Sequence, residues 1–118
     1  MFLGRLRSPE PVLYQGPTPN GVNMYRNKKL LETVRDAPCQ HCGAQDGTVV
    51  AAHSNSLSDG KGRGLKAHDY KIAALCFRCH AELDQGTRLS KTERREMWLD
   101  AHVKTIAWLF ENEKVVVK

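Results

Sequence analysis

The residues with the clearest chemistry in this chain are its four cysteines, arranged as two Cys-x-x-Cys pairs: Cys39-Gln40-His41-Cys42 and Cys76-Phe77-Arg78-Cys79. No other cysteine is present. Two such knuckles can bring four thiolates to the corners of a tetrahedron, the arrangement Zn²⁺ takes in closed structural sites. Paired motifs of this spacing therefore read as a zinc site. Two disulfides are the competing use of the same thiols. The opening stretch Met1-Phe2-Leu3-Gly4-Arg5-Leu6-Arg7-Ser8 disfavours that use, because it has no uninterrupted apolar run of the secretory kind. The expected compartment is cytoplasmic.

Two histidines stand where further chemistry is possible. His80 follows Cys79 directly, and Asp84 lies four residues on, which on a helix places the two on one face. An imidazole and a carboxylate so placed can hold a divalent metal and leave positions open for water and phosphate oxygens. His53 closes the β-branched, apolar run Thr48-Val49-Val50-Ala51-Ala52, so a strand would present it at its end. An imidazole there can act as general base toward an attacking water. Each residue also has a plainer reading. His53 can be a hydrogen-bonded histidine at a strand end, His80 an ordinary residue of a first helical turn, and Asp84 a carboxylate favoured there by the helix dipole. His41 sits inside a knuckle whose cysteines already suffice for a metal, and His102 reads as structural.

The elements that must position these groups follow from composition and periodicity. Residues 1–24 gather Pro9, Pro11, Pro17 and Pro19 with Gly4, Gly16 and Gly21, which predicts an extended or disordered arm. The remainder, 25–118, reads as a single domain with a core over 36–86 and a packing helix over about 90–112. Leu30, Leu31 and Val34 at helical spacing predict a short helix over Arg26–Arg35, before Pro38. After the strand to His53, residues 54–69 read as a long flexible loop. Its centre, Gly60-Lys61-Gly62-Arg63-Gly64, does not fit a phosphate loop. As a basic segment it offers Lys61, Arg63 and Lys66 to a nucleic-acid backbone. Tyr70–Leu75 reads as a second strand, and His80–Gln85 as a short helix stopped by Gly86. Ser90-Lys91-Thr92-Glu93 fits a capping box. It opens a long helix packed through Met97, Ala101, Thr105 and Trp108 or Leu109. Met97, Trp98 and Trp108 read as core, and Arg94 and Arg95 as a solvated face. Val115-Val116-Val117 is a candidate edge strand.

The chain has 118 residues, enough for one modest core. A formal charge of +5 favours a polyanionic partner. No apolar run approaches the roughly 20 residues that a membrane-spanning helix needs.

Strand, His53, basic loop, strand, knuckle and helix with His80 make an α+β unit that resembles the HNH, or ββα-metal, nuclease superfamily. The resemblance rests on Ala52-His53 at a strand end and on Leu75-Cys76-Phe77-Arg78-Cys79-His80 at a helix start. It covers about residues 36–86. It is nearer to short phage and prophage HNH-like nucleases and to the Ref-type phage recombination nucleases, which have similar Ala-His-Ser, Gly-Lys-Gly, Leu-Lys-Ala-His-Asp and Ala-Leu-Cys-x-x-Cys-His runs. The resemblance implies a metal-dependent endonuclease acting on DNA, with RNA as an alternative, linked to recombination or DNA processing and working with a recombination or replication protein. It implies His53 as general base, and His80 with Asp84 as ligands of a catalytic ion, Mg²⁺ or Mn²⁺. Cys39, Cys42, Cys76 and Cys79 would hold structural zinc. Two positions depart from the family pattern. Ala52 stands where many members have a ligating Asp or His. The central Asn has no direct match, with His68 or Asp69 nearest to its place. A non-catalytic, zinc-stabilised module that binds nucleic acid or a partner protein is the alternative.

Overall fold

The computed structural model describes residues 24–62 and 64–118. The arm over 1–24 therefore lies, apart from Met24, outside the described residues, as does Arg63. Asn27 opens the first helix, α1 (Lys28–Val34), by accepting the Leu30 N–H on its side chain, which satisfies one of the unpaired donors of the first turn. The chain then forms the first knuckle and enters β1 (Val50–His53), which pairs antiparallel with β2 (Ile72–Leu75). The register sets Val50 opposite Leu75 and His53 opposite Ile72. Helix α2 (Phe77–Gln85) follows at once, and α3 (Lys91–Glu111) closes the fold.

A two-stranded sheet cannot bury its own faces, and α3 completes it. Every residue of β2 is buried. From α3, the Trp98 indole N–H donates to the Ala52 carbonyl at 2.9 Å, and His102 Nδ1 donates to the Ile72 carbonyl at 2.7 Å. Thr105 Oγ1 accepts the Ala74 N–H at 2.9 Å while donating to the Ala101 carbonyl at 2.7 Å. The other backbone group of Ala74, its carbonyl, takes the Gln40 N–H at 2.8 Å and so ties the first knuckle to the sheet. Trp98 and His102 also stack, with ring centroids 4.8 Å apart.

The packing stripe of α3 is thus Trp98, Ala101, Thr105 and Leu109, with Met97 and Trp108 only partly buried beside it. The capping box at Ser90 and Glu93 forms as expected, and the helix ends with Asn112 as its cap. Helix α2 starts three residues earlier than expected, because Cys76 serves as its N-cap residue and the second knuckle itself forms the first turn. Gly86 is its C-cap residue, in extended backbone. A Cβ at Gly86 would meet the Glu82 carbonyl and carboxylate inside contact distance. The edge strand expected at Val115–Val117 does not form. Val115 packs partly against the core, while Val116 and Val117 are exposed and pair with no strand among the described residues.

The described part of segment 54–69 is not the flexible loop expected. It carries a 3₁₀ turn (Leu57–Asp59) and a bridge between Gly62 and Leu65, and it buries Ser54, Asp59, Ala67 and Asp69. The buried carboxylates order it. Asp59 accepts from Ser54 Oγ at 2.6 Å and pairs with Lys71 at 3.5 Å. Gly60, at φ +97°, lies so close to His68 and Met24 that any Cβ there would clash.

Candidate functional site

The two knuckles converge. Their four Sγ atoms all lie within 4.8 Å of one another, and Cys42 and Cys76 are 3.6 Å apart. In a thiolate tetrahedron with metal–sulfur bonds of about 2.3 Å, sulfurs sit roughly 3.8 Å apart, so the cluster has the dimensions of such a site. None of the four cysteines is joined in a disulfide. Burial works against a thiolate at Cys39, yet the backbone N–H groups of Cys42, Cys76 and His41 bring its pKa down to about 6. At Cys79 burial and the neighbouring cysteine side chains push the thiol up instead. Four thiols cannot all ionise in one small space without a cation, and a dication among them supplies the missing charge. The four cysteines are positioned to hold a metal ion. His41 stays exposed and takes no part in the cluster.

Beside this frame is a cleft of about 860 Å³ whose lining includes His53 from β1, and His80 and Asp84 from α2. The structure therefore brings these three residues to one cavity. His80 Nε2 and Asp84 Oδ2 are 3.1 Å apart, across the single helical turn that the spacing dictated. At that separation the two side chains form an ion-pair contact within α2. Ala52 is buried and offers no donor, and among the described residues only the four cysteines form a cluster of three or more ligand side chains.

His53 is mostly buried and its Nε2 lies 2.8 Å from Asp69 Oδ1. Burial alone would raise the Asp69 pKa. The bond from His53, the Asn27 N–H and the charge of Arg26 outweigh it and hold the carboxyl below the usual aspartate range. The Asn27 N–H reaches Asp69 Oδ2 at 2.7 Å, and Arg26 Nη1 reaches Oδ1 at 3.3 Å. An ionised carboxylate only accepts, so Nε2 of His53 carries the hydrogen of this bond, and in the neutral form of the ring the lone pair is on Nδ1. This Asp69–His53 pairing has no signature in local spacing. The sequence marked Asp69 only as one of two stand-ins for the missing Asn, and the strand-to-strand crossing that brings it to His53 is a tertiary event. His68, the other stand-in, accepts the Tyr25 N–H on Nδ1 at 3.1 Å and stacks on Tyr70.

Of the basic loop, Lys61 and Lys66 lie outside the cleft lining. The cations that do line it are Lys91, Arg94 and Arg95 from the first turns of α3, the face expected to be merely solvated. His102 is structural, as expected. No helix among the described residues is long and apolar enough to cross a membrane. Comparison of the chain with protein-family models, curated proteins and solved structures gave no match.

Proposed function

We propose that this protein is a metal-dependent endonuclease of HNH type that hydrolyses phosphodiester bonds in DNA, with zinc in the cysteine cluster as its structural frame. The observation that carries the reading is the sharing of one cleft by His53, His80 and Asp84. His53 is held by Asp69 through Nε2, so Nδ1 is the nitrogen able to take a proton from water as that water attacks phosphorus. The new P–O bond forms as the bond to the leaving ribose oxygen breaks. A divalent ion on His80 and Asp84, Mg²⁺ or Mn²⁺, would polarise the phosphate and offset charge on the leaving oxygen. Zinc would position the two histidines without entering the reaction, since one knuckle precedes β1 and the other forms the first turn of α2. The basic charge suits DNA, and a role in phage or prophage recombination, alongside a recombination or replication protein, is the setting we propose.

The rival is a zinc-stabilised module that binds nucleic acid or a partner protein without cleaving. Buried Ala52 favours it, because the open metal site then has only two protein donors. The test is incubation of the purified protein and His53→Ala with supercoiled, linear and branched DNA, with and without Mg²⁺ or Mn²⁺. The nuclease reading expects metal-dependent cleavage that falls about 10²- to 10⁴-fold in the variant. Cleavage that survives the substitution removes His53 as base. Salt-sensitive binding by both proteins with no cleavage by either establishes the rival.

A further inference from the structure

We infer that Lys91 and Arg95 form a phosphate-binding wall of the cleft, gripping the DNA backbone beside His53, His80 and Asp84; the inference builds on the DNA-directed reading of that cleft. Three cations line the cavity from α3, against the carboxylates of Asp84 and Glu96. Asp84 already faces His80. The three cations differ in how they are engaged. Arg94 spends its guanidinium on the connection between α2 and α3, donating from Nη2 to the Gly86 carbonyl at 2.6 Å and from Nε to the Leu89 carbonyl at 3.3 Å. It is a structural residue.

Arg95 is held but not used up. Its Nη1 touches Ser54 Oγ at 3.3 Å and Asp59 Oδ2 at 3.4 Å, and its guanidinium carbon lies 5.5 Å from the centre of the Trp98 ring. Those contacts fix where the group sits. The same Asp59 oxygen takes Ser54 Oγ at 2.6 Å and the other pairs with Lys71, so Arg95, ion-paired through Nη1 alone, shares that carboxylate with two other partners. Among the described residues Nε and Nη2 of Arg95 have no partner, leaving part of the donor fork free for phosphate oxygens. Ser54 follows His53 directly, so the residue that anchors Arg95 adjoins the residue that would act as base. Lys91 is exposed, enters no ion pair among the described residues, and adds a point charge at the rim. A backbone phosphate is the ligand that fits a planar cationic fork and a free ammonium in one basic cleft.

The test measures binding of a short fluorescein-labelled DNA duplex and of its single strand, by anisotropy, from about 50 to about 200 mM salt. The protein carries His53→Ala so that the probe stays intact, and Lys91→Gln, Arg95→Gln and Arg95→Lys are compared in that background. Each Gln variant is expected to lower the slope of log affinity against log salt by about 1, while Arg95→Lys keeps the slope. Thermal melting confirms folding. If Arg95→Gln melts early through its link to Asp59, the exposed Lys91→Gln decides. Unchanged affinity and slope in folded variants overturn the inference, as does a parent protein that binds neither probe. Binding that depends on Lys91 and Arg95 in the His53→Ala background, with no cleavage by the protein that keeps His53, upholds the wall and fails the nuclease reading. Cleavage by the protein that keeps His53, unchanged by Lys91→Gln and Arg95→Gln and with the salt slope also unchanged in the His53→Ala background, does the reverse.

Discussion

At the scale of single residues, the pair that matters most is His53 and Asp69. Under the proposed nuclease reading, a carboxylate that accepts from Nε2 would leave Nδ1 as the nitrogen to act as base. Asp69→Asn removes the charge and permits the opposite hydrogen-bond polarity, so Nδ1 no longer has to be the basic nitrogen. Cleavage by Asp69→Asn is expected to fall roughly 10- to 100-fold, the usual cost of losing a group that orients an active-site imidazole. Steady-state kinetics should show the loss in kcat and little change in DNA binding; a wild-type kcat would mean that Asp69 only orders its loop. Much of this site was legible in the chain, because cysteine spacing, the Cys79-His80 junction and the four-residue step to Asp84 are local patterns. Asp69 was not, because the loop that carries it closes on buried contacts to Asn27 and Arg26, far away along the chain.

At the scale of elements, α3 is the member that the two strands require. Trp98, His102 and Thr105 each exchange a hydrogen bond with a strand backbone. These bonds satisfy polar groups that the apolar packing would otherwise bury unpaired. Trp98→Phe keeps most of the apolar area but orphans the donor's partner at Ala52 and leaves a small void. It is expected to cost about 1–2 kcal/mol, read as a lower urea midpoint with an unchanged slope. The capping box and the extent of α3 were readable from Ser90, Glu93 and the apolar period. The turn of the helix toward Trp98 rather than Met97 was not. Residues 97 and 98 stand about 100° apart around the helix, and the hydrogen bond to the Ala52 carbonyl goes with Trp98. The same rotation carries Lys91 and Arg95 into the cleft.

At the scale of the whole molecule, stability is divided between a small core and the cysteine cluster. With zinc as the proposed ion, metal binding and folding are one equilibrium. Stripping the ion with a strong chelator is expected to abolish cooperative melting of the helical signal, and one equivalent of zinc should be recovered per chain. A chain that melts unchanged after the ion is gone would show the cluster to be dispensable. Acid acts through a second route. Burial opposes ionisation of Asp59, but Ser54, Lys71 and Arg95 hold its pKa below the usual range, as the partners of Asp69 do there. A carboxyl depressed in the folded state stabilises above its unfolded value and loses that stabilisation as pH falls through the folded one. Stability should therefore decline below about pH 4. Because thiolate protonation also releases metal on acidification, the measurement is a comparison with Asp59→Asn. The variant is expected to be weaker at neutral pH and to show a shallower acid decline.

The two Cys-x-x-Cys pairs, the histidine after the second pair, the capping box and the run of short elements are written in nearest-neighbour patterns, so the sequence alone determined an α+β fold whose four cysteines are positioned to hold a metal ion, with two histidines near that frame. Tertiary structure decided which side chains meet across the fold. It set Asp69 on His53, Trp98 on Ala52, and the cations of α3, in place of Lys61 and Lys66, along the cleft. The physical reason is the same in each case. Contacts between distant segments depend on how buried backbone and carboxylate groups find partners, and that accounting closes only when the whole chain is folded.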